Sequence, residues 1–161
     1  PDRKGTDRPG LVMELTALQQ RTIKIAKRHI GEREATGRND GPKISVFQRS
    51  IAPWMERQPW CVAFAVYCVH MAARDVGTVS LLPKTGSSST LYAWMVRQKR
   101  TLKHPIPGCI GIVRGGRTGH SHTFLVHDVR NGRAIGVDGN YRNAVGWSDR
   151  AIGASDYGEI C

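Results

Sequence analysis

The sequence predicts an α+β domain, with helices in its first two thirds and an antiparallel β-meander in its last third. Three observations predict it. Up to about residue 97, apolar residues recur at three- and four-residue spacing, the period of one face of a helix. From residue 109 onward, β-branched and apolar residues gather in short segments separated by Gly115-Gly116, Asn131-Gly132 and residues 139–141, as strands joined by turns do. The length of 161 residues suits one domain with one core and is short for two. Residues 1–161 are therefore read as a single domain, with residues 1–10 as a polar, flexible N-terminal segment that lacks an apolar h-region.

In chain order, Leu11, Leu15, Leu18, Thr22, Ile25, Ala26 and His29 form one stripe of a long first helix, with Gly31 as its C-terminal cap. Residues 32–41 are rich in Gly, Asn and charge and read as a loop. Pro42 suits the first position of a short helix running to Arg49, and Pro53 breaks the chain. Pro59 opens a third helix in which Val62, Ala63, Val66, Cys68, Val69 and Ala73 suit nearly complete burial, ending within residues 74–77. Ser87, Ser88 and Ser89 offer caps to a fourth helix carrying Leu91, Trp94 and Met95, before Pro105, Pro107 and Gly108 turn the chain. The strands fall at residues 109–113, 123–129, 133–138 and 143–148, and Asn131-Gly132 is a two-residue hairpin turn.

Composition narrows the function classes. At 40% hydrophobic and 23% charged residues the chain is globular, and no apolar run approaches the roughly 18 residues of a membrane-spanning helix. Lys and Arg outnumber Asp and Glu 24 to 13, a net charge of +11. Residues 97–117 hold Arg97, Lys99, Arg100, Lys103, Arg114 and Arg117 and no acidic residue, a field that favours an anionic partner. Nucleic acid, anionic lipid and acidic wall polymer all fit such a field. Against nucleic acid, no recognised binding motif is present and no aromatic residue is interleaved with the basic run. The four cysteines, Cys61, Cys68, Cys109 and Cys161, form no CxxC pair and no zinc-ligand spacing, and Cys68 and Cys109 read as buried small hydrophobes.

Cys61 stands in the first turn of the third helix, where unpaired backbone N–H groups and the positive end of the dipole stabilise a thiolate. A thiol becomes a good nucleophile only as the thiolate, so it needs a base. Gly119-His120-Ser121-His122, followed by apolar residues 123–126, puts a histidine at the start of a strand. Across the Asn131-Gly132 hairpin, Asp138 and Asn140 are the polar residues that antiparallel pairing brings nearest to His122, and either suits the third, orienting role. A cysteine on an apolar helix is more often core than nucleophile, and the residues alone leave both readings open. Trp54, Trp60, Tyr141 and Trp147 lie close in sequence to these segments and suit either a binding groove or the core.

Pro59-Trp60-Cys61-Val62-Ala63-Phe64 resembles the nucleophile motif of the CHAP family, the cysteine- and histidine-dependent amidohydrolases and peptidases that cut bacterial peptidoglycan. Ser121-His122-Thr123-Phe124-Leu125-Val126 is similar to that family's His-bearing strand, and Val137-Asp138-Gly139-Asn140 to its Ile-Glu-Gly-Asn strand end. Ile30-Gly31-Glu32-Arg33-Glu34 and Asn39-Asp40-Gly41 resemble the N-terminal part of such wall hydrolases, so the likeness spans residues 20–150. Two departures stand out: Asp138 where the family usually has Glu, and Pro107-Gly108-Cys109 where it commonly has Pro-Gly-Asp. The related NlpC/P60 peptidases carry Asp-Cys-Ser-Gly, which Trp60-Cys61-Val62-Ala63 is not.

The resemblance implies a papain-like, NlpC/P60-like cysteine peptidase core and acyl transfer on a peptidoglycan amide, as amidase or endopeptidase. Cys61 is then the nucleophile, His122 the acid-base, Asp138 or Asn140 the group that orients it, and the Cys61 N–H an oxyanion donor with Gln58 as second. Trp54, Gln58, Trp60 and Tyr141 are the expected substrate contacts. No cofactor or metal is expected: the calcium-binding members use an acidic loop, and only Asp40 stands in the comparable region. The implied partners are stem peptide or cross-bridge and anionic wall polymer, with an immunity or inhibitor protein if the chain is an antibacterial effector, and neither nucleic acid nor membrane insertion. The place of action is the periplasm or cell wall, after secretion or delivery, as endolysin, wall-remodelling enzyme or effector. The competing classes are a non-catalytic wall-binding module and a basic nucleic-acid-binding protein.

Overall fold

The computed structural model describes residues 14–161, so the reading of residues 1–10 and the Leu11 end of the first helix lie outside the described residues. Four helices precede the main strands: α1 (Ala17–Arg28), α2 (Pro42–Ile51), α3 (Cys61–Asp75) and α4 (Ser88–Arg97). The strands are β1 (Thr101–Leu102), β2 (Ile110–Arg114), β3 (His120–Arg130), β4 (Arg133–Tyr141), β5 (Ala144–Ala151) and β6 (Ser155–Gly158). They form one antiparallel sheet in the order β1-β6-β2-β3-β4-β5. The α+β class expected from the sequence is the class observed.

Helix α1 starts at a capping box: the Thr16 hydroxyl accepts from the Gln19 N–H, and the Gln19 side chain accepts from the Thr16 N–H. Its end differs from the expected one. The cap residue is His29, and the Gly31 N–H bonds the Val145 carbonyl on β5, 2.9 Å away, instead of closing the helix. Helix α2 begins on Pro42 as expected and runs to Ile51, two residues before Pro53.

Helix α3 is apolar nearly all round because it is surrounded. It packs against α1, α2, β3 and β4, and Val62, Ala63, Phe64, Ala65, Val66, Cys68 and Val69 are fully buried. Its approach to β4 depends on one glycine. A Cβ at Gly139 would stand 2.4 Å from the Cβ of Phe64, so any larger residue there would push the strand off the helix.

The meander read from the sequence is β2 to β5, with Arg130 and Arg133 paired across the Asn131-Gly132 turn. Strand β6 then crosses back to pair with β2 on the side away from β3, and the two-residue β1 pairs with β6. Those two strands have no pattern to read: one is too short, and Ser155-Asp156-Tyr157-Gly158 lacks an alternating apolar face. A smaller apolar cluster of Cys109, Phe124, Val126, Ala134 and Tyr157 lies apart from the helix-side core. No described helix is long and apolar enough to cross a membrane.

Candidate active site

Cys61 is the first residue of α3 and Trp60 its cap, with no side chain satisfying the first-turn N–H groups. The helix therefore presents its positive end at the thiol. Cys61 is 8% exposed, and the His122 ring on β3 lies close enough to act on its thiol. The other ring nitrogen of His122 is committed: Nε2 lies 2.8 Å from Asp138 Oδ2. That fixes the ring with Nδ1 left for the sulfur.

The strand register explains why Asp138 reaches the ring. Leu125 pairs with Val137, which puts Asp138 beside Phe124 and His122 one diagonal step away on the same face. Asn140 does not reach it. Its backbone is left-handed (φ 55°) where the β4–β5 register slips between Asp138 and Tyr141, and its amide donates to Asn39 Oδ1 at 3.3 Å. Of the two orienting candidates, the structure places Asp138 on His122 and turns Asn140 away.

Asp138 is fully buried, and a buried carboxylate is tolerated only where its charge and lone pairs are met. Oδ2 also accepts from Arg150 at 2.6 Å, and Oδ1 accepts from the Ser148 hydroxyl at 2.6 Å; Arg150 also donates to the Ser148 oxygen. The Arg150 guanidinium lies over Phe124, 4.5 Å from its ring centre. Neither Ser148 nor Arg150 was expected. Both stand on β5 in the register of β4, Ser148 opposite Gly136 and Arg150 opposite Ala134, so alternation gives them one face with Asp138.

The electrostatics separate Cys61 from the other buried cysteines. Burial pushes the Cys68 thiol well above its ordinary value and Cys109 up to about 12. Burial acts on Cys61 in the same direction. There it is outweighed by the hydrogen bond and charge of His122 and by the Thr123 and Val62 backbone, so the thiol pKa is lowered. For His122 burial favours the neutral ring, but the hydrogen bonds to Asp138 and Cys61 and the charges of both raise it to about 9. The arrangement favours thiolate beside imidazolium. All four cysteines are free, so no Cys68–Cys109 bridge forms.

The expected substrate contacts separate into three places. Trp54, which is 71% exposed, and Gln58 line a groove of about 430 Å³ with Pro59 and the start of α4. Tyr141 lines a different groove, with Trp147 and His127. Trp60 lines neither: it is fully buried, stacked on Phe47, and its indole N–H donates to Glu34 Oε1 at 2.8 Å. Its part is to anchor the residue that caps α3. His120 faces Asp156 at 2.9 Å and the Tyr92 ring, apart from the Asp138 group. Among the described residues no group of three or more His, Cys, Asp or Glu could hold a metal ion.

No family model and no curated protein matches the chain. Among solved structures it is similar to one described as "The crystal structure of Ly7917 with the hydrolyzing product of MDP", with a TM-score of 0.51 and 13% identity. The likeness covers 88% of this chain and 63% of that one, so this chain spans somewhat less than two thirds of its neighbour's length. At that identity the likeness is one of fold: the chain shares its α+β architecture with a protein whose crystal structure holds the product of a hydrolysis.

Proposed function

We propose that the chain is a cell-wall hydrolase that cleaves an amide bond of bacterial peptidoglycan through Cys61, as amidase or endopeptidase. One observation carries the reading. A buried thiol at the start of α3 is lowered in pKa by a histidine whose far nitrogen is held 2.8 Å from a fully buried carboxylate, while the other buried thiols are raised. Perturbed groups of this kind gather where chemistry is done. Two further observations support it: the three segments around Cys61, His122 and Asp138 resemble the CHAP motifs in order and spacing, and the fold is that of a neighbour solved with a hydrolysis product.

In this reading the Cys61 thiolate adds to the amide carbonyl, and the free N–H groups of the first turn of α3, that of Cys61 included, stabilise the oxyanion. The His122 imidazolium gives its proton to the leaving amine as the C–N bond breaks. The neutral ring then takes a proton from water, which attacks the thioester and restores the thiol group. Asp138 is a positioning residue that holds the ring and stabilises its charged form. The substrate places the activity at the bacterial wall, reached by secretion or delivery.

The test is digestion of purified sacculi with mass spectrometry of the released fragments. The wild-type chain is expected to release soluble fragments, and Cys61→Ala none, with an unchanged circular dichroism spectrum. Release by Cys61→Ala at the wild-type rate, or none by either protein, refutes the reading.

A further inference from the structure

The groove lined by the turn that precedes Cys61 has a lining that contrasts with the rest of the chain. One wall is the turn that leads into α3, with Trp54, Gln58 and Pro59; the other is the start of α4, with Thr85, Ser87 and Thr90. Each wall is tied to a segment that carries a catalytic candidate. Pro59 is two residues before Cys61, and Ser88, next to Ser87, bonds through its hydroxyl to Thr123 Oγ1 at 2.8 Å, the residue after His122. The floor is closed by Met55, against which Gly86 packs so tightly that a Cβ there would meet the methionine at 2.5 Å.

In a chain of net charge +11 this lining contains no Asp, Glu, Lys, Arg or His. A ligand carrying carboxylates or amines would lose water there and meet no opposite charge, which is costly. A neutral ligand with many hydroxyls meets suitable partners. The Ser87 and Thr85 hydroxyls already accept from the Thr90 and Ser87 N–H groups, which leaves both O–H groups free to donate outward. Gln58 offers an amide that donates and accepts, and Trp54 an exposed flat apolar face on a short turn fixed by the Met55 N–H to the Ala52 carbonyl. The volume of about 430 Å³ is in the range of sites for small ligands, roughly 300–1,000 Å³.

We infer that this groove seats the neutral glycan of the substrate, with a sugar ring on Trp54, and that the amide presented to Cys61 is the one joining a sugar-borne carboxyl group to the peptide. The inference rests on the hydrolase reading and selects the amidase within it. The sugar-side acyl group passes to Cys61, the peptide leaves as a free amine with the proton from His122, and water releases the glycan carboxylate.

Binding is read on Cys61→Ala, which cannot turn over, by the NMR shift of the Trp54 indole N–H, assigned by its absence in Trp54→Ala. The probes are an N-acetylglucosamine tetramer and an N-acetylated acidic tetrapeptide. The tetramer is expected to move the Trp54 signal and the peptide not to compete; by isothermal titration calorimetry in the same Cys61→Ala background, Trp54→Ala is expected to bind the tetramer at least tenfold more weakly, with Trp54→Phe restoring most of the affinity. A peptide that binds the groove in preference to the tetramer, or a tetramer that leaves the Trp54 signal unmoved, overturns the inference. Sacculus digestion gives a separate readout: new amino termini at the first stem residue support it, and termini within the stem or cross-bridge overturn it. Inactivity of the wild-type chain on sacculi refutes the hydrolase reading instead, and the binding experiment does not depend on that result.

Discussion

Replacing Asp138 by Asn keeps the shape of the side chain and removes its charge, which isolates what the carboxylate does for His122. The active ion pair exists between two protonation events. As pH rises, Cys61 loses its proton below the ordinary thiol value, and the pair forms; as pH rises further, His122 loses its proton near 9 and the general acid is gone. The pH dependence of kcat/KM on labelled sacculi is therefore expected to be a bell whose basic limb lies near 9. A hydrogen bond to a charged group contributes about 1.5–3 kcal/mol, and one pH unit corresponds to about 1.4 kcal/mol. Because the Asp138 charge favours the protonated ring, Asp138→Asn is expected to move the basic limb toward acid by about one to two units. The maximum rate should fall at least about tenfold, or about 1.4 kcal/mol of barrier, since an amide also holds the ring less firmly. A folded Asp138→Asn protein with its basic limb still near 9 refutes the role given to the carboxylate, and points to His120 with Asp156 as the pair to test next.

Three further outcomes are expected. Arg150→Met leaves the fully buried Asp138 without its guanidinium partner; broken buried pairs cost roughly 3–5 kcal/mol, and the 17% exposure of Arg150 sets the lower figure, which corresponds to about 6–12 °C in melting temperature by calorimetry. An unchanged melting temperature would show that Arg150 is not what compensates the charge. Trp60→Phe removes the only donor that the indole supplies to Glu34 and is expected to cost about 1–3 kcal/mol in urea unfolding; a wild-type midpoint would show that water replaces the bond. Binding of Cys61→Ala to sacculi is expected to weaken steadily as salt rises from low to physiological concentration, because exposed Arg97, Lys99, Lys103 and Arg117 are screened beyond about 10 Å at 0.1 M. Salt-independent pull-down would assign binding to the uncharged groove.

The parts of the site that the sequence displays are those set by local chemistry. Cys61 shows itself by Pro59 and an apolar run, His122 by the change to a two-residue period, and Asp138 by a hairpin turn that counts out the register. Trp60 is expected among the substrate contacts because it adjoins Cys61, yet its partner, Glu34, lies 26 residues away across the loop that follows α1. No local pattern carries such a contact. The apolar and β-branched pattern ends strand β5 at Ser148, and the strand runs on to Ala151. The strand continues because β4 continues beside it, and only that pairing reveals that Arg150 points where Asp138 does.

Arg150 then accounts for more than its own burial. From β5 to α3 the charged forms alternate: guanidinium on Asp138, carboxylate on His122, imidazolium on Cys61. Each member is largely buried, and burial alone would favour the uncharged thiol and ring. The carboxylate can serve His122 only if it is tolerated in the interior, and the donors that make it tolerable come from Ser148 and Arg150. A thiolate at the start of α3 thus depends on a guanidinium three side chains away, on the strand farthest along the sheet from β1.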